Sequence, residues 1–461
     1  MADGALLVVG GDVVTMAPGR EVVAGATVAV VDGAIADLGA VDRLRAAYPD
    51  ADELDARDCV VVPGLVNGHQ HHTGDPLVRS CIPDLVTSEV AIFDWAVPVH
   101  GAHDGDDDEV AATLTALQCL RSGTTTVVEA GTVAHPERVA AGMERAGVRG
   151  TIGRWGWDVD DVPFSGRVDE VIADQRAVLD RWPRGGRIEG WVTLVGHDLA
   201  SDELLRAAAD LARDTDTNLT MHLSPHRGDT AAYLARTGRT PVRHLAELGV
   251  LGPHLLLAHG VWLGHEEVEL VLEHDVAVAA CPWAYLRLGQ GILRAGRHHE
   301  LVERGGRVCL GCDAANASDH HDIFSAAALL AGIARDGRLE PLAFGADTAF
   351  ALATIDGARA IGMEDRIGSI EVGKRADLVV IDTSRVEWQP RGDLALQLVW
   401  GGAGRHVRDV IVDGDVVLRD GRSTRVDESA LVAEAADRQR SLVERSGVRP
   451  TPTWPIVAPD G

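Results

Sequence analysis

Residues 190–313 contain GWVTLVGH (190–197), NLTMHL (218–223), HLLLAH (254–259), VAVAAC (276–281) and RVCLGCD (307–313), five apolar runs of strand length. Between them lie Ala-, Leu-, Arg- and Glu-rich stretches with apolar positions at helical spacing. Strand then helix, repeated, reads as a parallel sheet with helices outside. Working outward, three further runs fall at 60–66, 124–129 and 148–155, and with 190–196, 217–222, 254–259, 276–281 and 307–312 they make eight strand candidates. Eight such units over about 300 residues fit a closed (β/α)8 TIM barrel better than an open doubly wound sheet.

The flanks read differently. Residues 5 to 62 are short Val- and Ile-rich segments bounded by Gly and Asp-Gly, with a small helix near Leu44, and the same pattern returns in ADLVVID, DVIVDG and DVVLRDG. These are strands and hairpins. The expected α/β organisation is therefore a barrel inserted in a composite β-sandwich: residues 1–62 its first half, 63–366 the barrel, 367–425 its second half, and 426–461 a helix and a Pro-rich tail.

Composition narrows the function classes. The 461 residues are 46% hydrophobic and 25% charged, as expected of a globular chain with a large core. Acidic residues outnumber basic ones by 70 to 43, for a net charge of −27, which disfavours nucleic acid and anionic membranes as partners. No apolar run reaches the ~18–20 residues of a bilayer span, and Met1 to Gly11 lacks a signal-peptide pattern, so a cytoplasmic protein is expected. The six cysteines are too sparse for a disulfide framework, and Cys309–Cys312 lacks the second pair of a zinc ribbon. A small-molecule substrate is the expected partner, and a homo-oligomer stays open.

In such a barrel the strand C-termini form the active-site face. Here they carry His69 and His71, Glu129, Trp155 and Trp157, His197, His222, His259, Cys281 and Asp313, in strand order. Taken singly, each has an ordinary structural explanation: a surface histidine, a core histidine, a helix cap. Five histidines and an aspartate on one rim are a divalent-metal site, because imidazole and carboxylate suit zinc, iron, manganese or cobalt.

The chain resembles the amidohydrolase superfamily, in the branch with cytosine deaminase and the triazine hydrolases. The stretches that carry the likeness are PGLVNGHQHH (63–72), SGTTTVVEAG (122–131), NLTMHLS (218–224), LLLAHGVWL (255–263), GCDAANASDHHDIF (311–324) and GSIEVGKRADLVVID (368–382). The resemblance implies one divalent metal, zinc first, on His69, His71, His222 and Asp313, with His259 completing the coordination or contacting the metal's water. A metal so held lowers the pKa of its water from 15.7 to about 7, and Asp313 then serves as the base. Of the 43 basic residues only Lys374 is a lysine, outside the barrel, so the carboxylated-lysine bridge of two-metal relatives is excluded.

One departure shapes the expected reaction. Deaminases of this branch carry H-x-x-E after the fifth strand, where the Glu protonates a ring nitrogen; this chain reads His222-Leu223-Ser224-Pro225-His226. Pro225 cannot move a proton, which leaves His226 as the candidate substitute acid. TGDPLVRSCIPD (73–84), together with the missing Glu, is similar to the molinate and phenylurea hydrolases. The expected substrate is therefore a small, mostly apolar amide, urea or carbamate. Deamination of a purine, pyrimidine or triazine is the alternative, and a catalytically silent metal-binding barrel a further one. His197, Glu129, Trp95, Trp155, Trp157, Trp283 and Tyr285 are the expected substrate contacts or pocket walls.

Overall fold

The computed structural model describes residues 4–87, 90–159 and 162–457; the outermost residues of the expected first and last segments lie outside that range. Its centre is a parallel barrel. The strands are Leu65–Gln70, Thr124–Glu129, Arg149–Ile152, a fourth in two pieces (Ile188–Gly190 and Val192–Gly196), Leu219–Leu223, Leu255–His259, Ala277–Ala280 and Val308–Leu310. The fourth strand is broken at Trp191, its first piece pairing with the third strand and its second with the fifth. A bridge between Gln70 and Asp313 closes the ring from the eighth strand to the first.

The terminal segments share one nine-stranded sheet. Its seam is the antiparallel pairing of Cys59–Pro63 with Leu378–Asp382, so the chain enters and leaves the barrel through neighbouring strands. The sheet has its own apolar core, including Val8, Val28, Val61, Leu378 and Ile411. The run expected as one strand over 60–66 is two: Cys59–Pro63 belongs to this sheet and Leu65–Gln70 to the barrel, with Gly64 between them. Gly64 can only be glycine, since a Cβ would lie 2.0 Å from Thr125 Oγ1.

The helix Glu428–Ser446 packs on the side of the barrel helix Gly105–Arg121. The acidic stretch 103–109 starts that barrel helix with a capping box between Asp104 and Asp107, yet it is not solvated throughout. Asp107 pairs with Arg438 and Arg445 of the C-terminal helix, and buried Asp108 is held by His103 (2.7 Å) and His135 (2.6 Å). Among the described residues no helix is long and apolar enough to cross a membrane. All six cysteines are free.

Arg149 joins the two parts. From the third barrel strand its guanidinium, 3% exposed, meets Asp377 through Nε (2.8 Å) and Nη2 (3.1 Å), and Asp413 through Nη2 (2.9 Å). Both aspartates belong to the returning half of the sheet. Removing one partner of a buried ion pair strands the other charges, at a cost of about 3–5 kcal/mol. Arg149→Ala is expected to lower unfolding stability by that amount in denaturant titration; a loss under about 1 kcal/mol would show that the barrel and sheet hold together without it.

Candidate metal centre

The first barrel strand delivers His69 and His71 from its C-terminal end, the fifth His222, the sixth His259, and the loop after the eighth Asp313. Their polar atoms converge. His71 Nε2 lies 3.3 Å from Asp313 Oδ1 and 3.2 Å from His222 Nε2, while His69 Nε2 is 3.7 Å from Asp313 Oδ1 and His259 Nδ1 is 4.0 Å from Asp313 Oδ2. One ligand atom from each of His69, His71 and His222 falls within 4.8 Å of the others, and so does a second set of His69, His259, Cys281 and Asp313.

These residues fit a divalent ion. Among the described residues, both ring nitrogens of His69 and Nδ1 of His259 are buried without a hydrogen-bond partner, an arrangement that is costly unless another group completes them. Burial holds His69 below the usual imidazole range and His222 and His259 well below it, so all three are neutral and able to ligate. Burial also works against charge on His71, but hydrogen bonding and attraction to Asp313 outweigh it and raise that ring. Asp313 is held well below the usual carboxylate range: desolvation opposes this, and His69 and His71 overcome it. Burial pushes the Cys281 thiol well above the usual thiol range.

Supporting groups fix the rings. His222 Nδ1 donates to the carbonyl of Val195, and His71 Nδ1 pairs with Thr132 Oγ1 (3.0 Å). Glu129, fully buried, accepts from Gly131 N (2.6 Å) and from Thr132 Oγ1 (3.4 Å), so it reaches His71 through the threonine. Such outer partners set ring orientation and basicity. His197 stacks on His222 with centroids 4.7 Å apart, and its Nδ1 lies 3.6 Å from Asp229 Oδ1. That stacking requires Gly196, where a Cβ would sit 2.1 Å from the His222 carbonyl oxygen. His197, Ser224, His259 and Asp313 all have positive φ, between 51° and 82°, a clustering of backbone strain typical of functional rims.

The other expected contacts are spread more widely. Trp155 and Trp157 are buried core residues that pack edge to face at 5.1 Å, and Trp155 also meets His100 at 5.2 Å. Tyr285 is buried beneath the centre rather than forming a wall, its hydroxyl 3.3 Å from the carbonyl of His259. Trp283 faces outward: Pro282 starts a helix, and the indole stacks on His320 at 4.6 Å and lines an outer apolar groove with Leu293 and Trp400. Trp95 packs into the cluster under the C-terminal helix. His226 caps the helix Arg227–Thr237, its Nδ1 accepting from Asp229 N at 3.3 Å. Sequence reading missed Asp229, Thr132, Asp75 and His100; only the spacing of Asp229 seven residues after His222 hinted at any of them. Lys374 bonds Ser369 Oγ (2.6 Å) and Glu371 (3.1 Å) beside the β-sheet.

Comparison with known proteins places this centre in a class. The amidohydrolase family pattern matches residues 60–417, and the chain belongs to that family. It is a metal-dependent hydrolase of carbon–nitrogen bonds other than peptide bonds. Over 422 residues, 90% of this chain and 93% of the relative, it is 33% identical to a 5-methylthioadenosine/S-adenosylhomocysteine deaminase of Syntrophobacter fumaroxidans. It is 29% identical to an S-triazine hydrolase of Gordonia rubripertincta, covering 97% of this chain and 98% of that one. The crystal structure of an adenosine deaminase from Xanthomonas campestris with bound zinc superposes with a TM-score of 0.89 at 29% identity, covering 95% and 98% of the two chains. These relatives favour the heterocycle alternative over the amide, urea or carbamate reading expected from the sequence.

The capping geometry of His226 has a measurable consequence. His226→Ala is expected to cost about 1 kcal/mol of stability, as for other lost helix caps, and to leave kcat within about threefold. A fall in kcat of about 10² or more with an unchanged melting temperature would instead make it a proton-transfer residue.

Proposed function

We propose that the protein is an aminohydrolase that removes the amino group of a small purine- or triazine-like heterocycle. A single divalent metal, zinc as first choice, is held by His69, His71, His222 and Asp313. The observation that carries this reading is the 33% identity to a nucleoside deaminase across 90% of the chain, on a barrel whose buried imidazoles and carboxylate suit the same chemistry. The zinc named for the Xanthomonas relative supports the choice of metal.

When bound, the metal supplies an acidified water as nucleophile. This chain's residues do the rest. Asp313 takes a proton from the attacking water and passes it to the departing nitrogen. His259, 4.0 Å from the Asp313 carboxylate, orients the water or polarises the carbon under attack. His197, stacked on His222 and steadied by Asp229, contacts the heterocycle. Glu129 acts through Thr132 on His71.

Pro225 supports a second reading. Without a carboxyl at that position, hydrolysis of a urea, amide or carbamate needs fewer proton donors than ring deamination. Ammonia release separates the two. Zinc-loaded protein is expected to liberate ammonia from 5-methylthioadenosine, adenosine or an amino-triazine and to leave ureas and carbamates untouched; the reverse pattern would hand the function to the second reading. Asp313→Asn keeps an oxygen toward the metal but no base, so zinc content should partly persist while kcat falls by about 10² or more. Near-normal turnover in that variant would remove Asp313 from the chemistry.

A further inference from the structure

Deamination of a heterocycle needs a proton on the ring nitrogen beside the attacked carbon, and position 225 cannot deliver it. Four buried carboxyl groups surround the centre among the described residues, and three are committed. Asp313 belongs to the ligand set. Glu129 is engaged by Gly131 and Thr132, and Asp229 accepts from Ser224 N (2.7 Å) and lies beside His197. The fourth is Asp75, on the 3-10 turn Asp75–Val78, four residues beyond His71.

Asp75 is pinned between two ligand-bearing loops. Its Oδ2 accepts from the backbone N–H of Asn316 at 3.2 Å, three residues past Asp313, and Asn316 is itself tied to the carbonyl of Val78 (3.2 Å). Oδ1 has no hydrogen-bond partner among the described residues. The nearest charged candidate, His100 Nε2, is 4.0 Å away, beyond hydrogen-bond reach. Asp75 as a whole is only 5% exposed, so this uncommitted oxygen sits in a largely enclosed place between the two loops, where a ligand can meet it.

We propose, building on the deaminase reading, that Asp75 is the proton donor to the substrate's ring nitrogen, doing from the first barrel loop what a Glu at position 225 does in related deaminases. Burial raises the Asp75 carboxyl above the usual range, against the pull of His71 and of the backbone and side chain of Asn316 and with the help of Asp313. His100 does not compete for that proton, because burial beside His103 pushes its ring down to about 3.

The proton count closes. Asp313 accepts one proton of the attacking water as the oxygen bonds to the carbon bearing the amino group, and Asp75 gives its proton to the adjacent ring nitrogen. The amino nitrogen then takes the proton from Asp313, its bond to carbon breaks, and it leaves as ammonia. The proton of the new hydroxyl returns to Asp75 as the carbonyl forms. The product is a ring lactam, and both carboxyl groups are regenerated.

The test uses Asp75→Asn, which keeps an acceptor for the Asn316 N–H but holds no transferable proton, and Asp75→Glu, which restores a carboxyl. With the zinc-loaded enzyme and 5-methylthioadenosine, D75N is expected to lose about 10² or more in kcat with KM changed only a few-fold, and D75E to recover part of the loss. Two inert ligands give a readout without turnover. Affinity for a 6-hydroxy-1,6-dihydropurine ribonucleoside, which carries the ring N–H of the intermediate, should fall by about 10² in D75N, while affinity for a 1-deazapurine ribonucleoside, which has carbon at that ring position, and the zinc content stay level. Full kcat and full analogue affinity in D75N, or equal loss of both ligands, would overturn the role of Asp75 alone. If D75N does not fold, Asp75→Ser, which likewise has no carboxyl proton, decides by the same comparison. A wild-type enzyme that releases no ammonia from any heterocycle overturns the deaminase reading and this role together.

Discussion

Asp313 donates its backbone N–H to the carbonyl of His69 (2.9 Å), Cys312 does the same (3.1 Å), and Gln70 Nε2 donates to the carbonyl of Asp313 (2.6 Å). These bonds close the barrel between its last strand and its first. They are also what sets the Asp313 carboxylate against the imidazoles of His69 and His71, because the same few residues carry closure and chemistry. Asn67 reinforces the joint, its Oδ1 accepting from both His69 N and Cys312 N at 3.2 Å. A change that loosened this seam would open the ring and scatter the ligand set in one step.

Around that seam the centre is built in layers, all of them buried except at Thr132. Neutral imidazoles with unshared lone pairs lie at the middle. Beyond them come groups such as Thr132 and the carbonyl of Val195, which fix the rings, and beyond those the carboxyl groups of Glu129, Asp229 and Asp75. Each of these outer acids accepts from a backbone N–H: Glu129 and Asp229 from Gly131 and Ser224 on their own stretch of chain, and Asp75 from Asn316 of another loop. Backbone donors position a carboxyl without adding a formal charge, which leaves the electrostatics of the centre to the ligands themselves.

Much of this was legible in the sequence. Alternating strand and helix signals located all eight barrel strands within a few residues, and the histidines and Asp313 were readable because strand C-termini have a fixed place in a barrel. What escaped was set by tertiary geometry. The run 60–66 hides a change of sheet at Gly64, which apolar pattern cannot register. Trp283 has the aromatic character of a pocket wall, but the helix begun by Pro282 turns it outward, and Tyr285 on the same helix is drawn beneath the centre. Asp75, Asp107 and Asp229 read as loop or helix-start acids, the commonest surface features of a sequence. Their burial depends on partners as far away as Asn316 and Arg445.

The seam between Cys59–Pro63 and Leu378–Asp382 also bears on how the protein is made. During synthesis the amino-terminal strands emerge first, and their partner in the sheet is not translated until the whole barrel has followed. At about 5–20 residues per second, that is a wait of tens of seconds. Over this interval Cys59–Pro63 presents an open Val-rich edge in the cell, the kind of edge that pairs with other chains. The barrel therefore has to fold with one border of its sheet still missing, and slowing translation downstream of it would lengthen the exposure. Aggregation of nascent chains, rather than instability of the finished enzyme, is the weak point that this inserted topology creates.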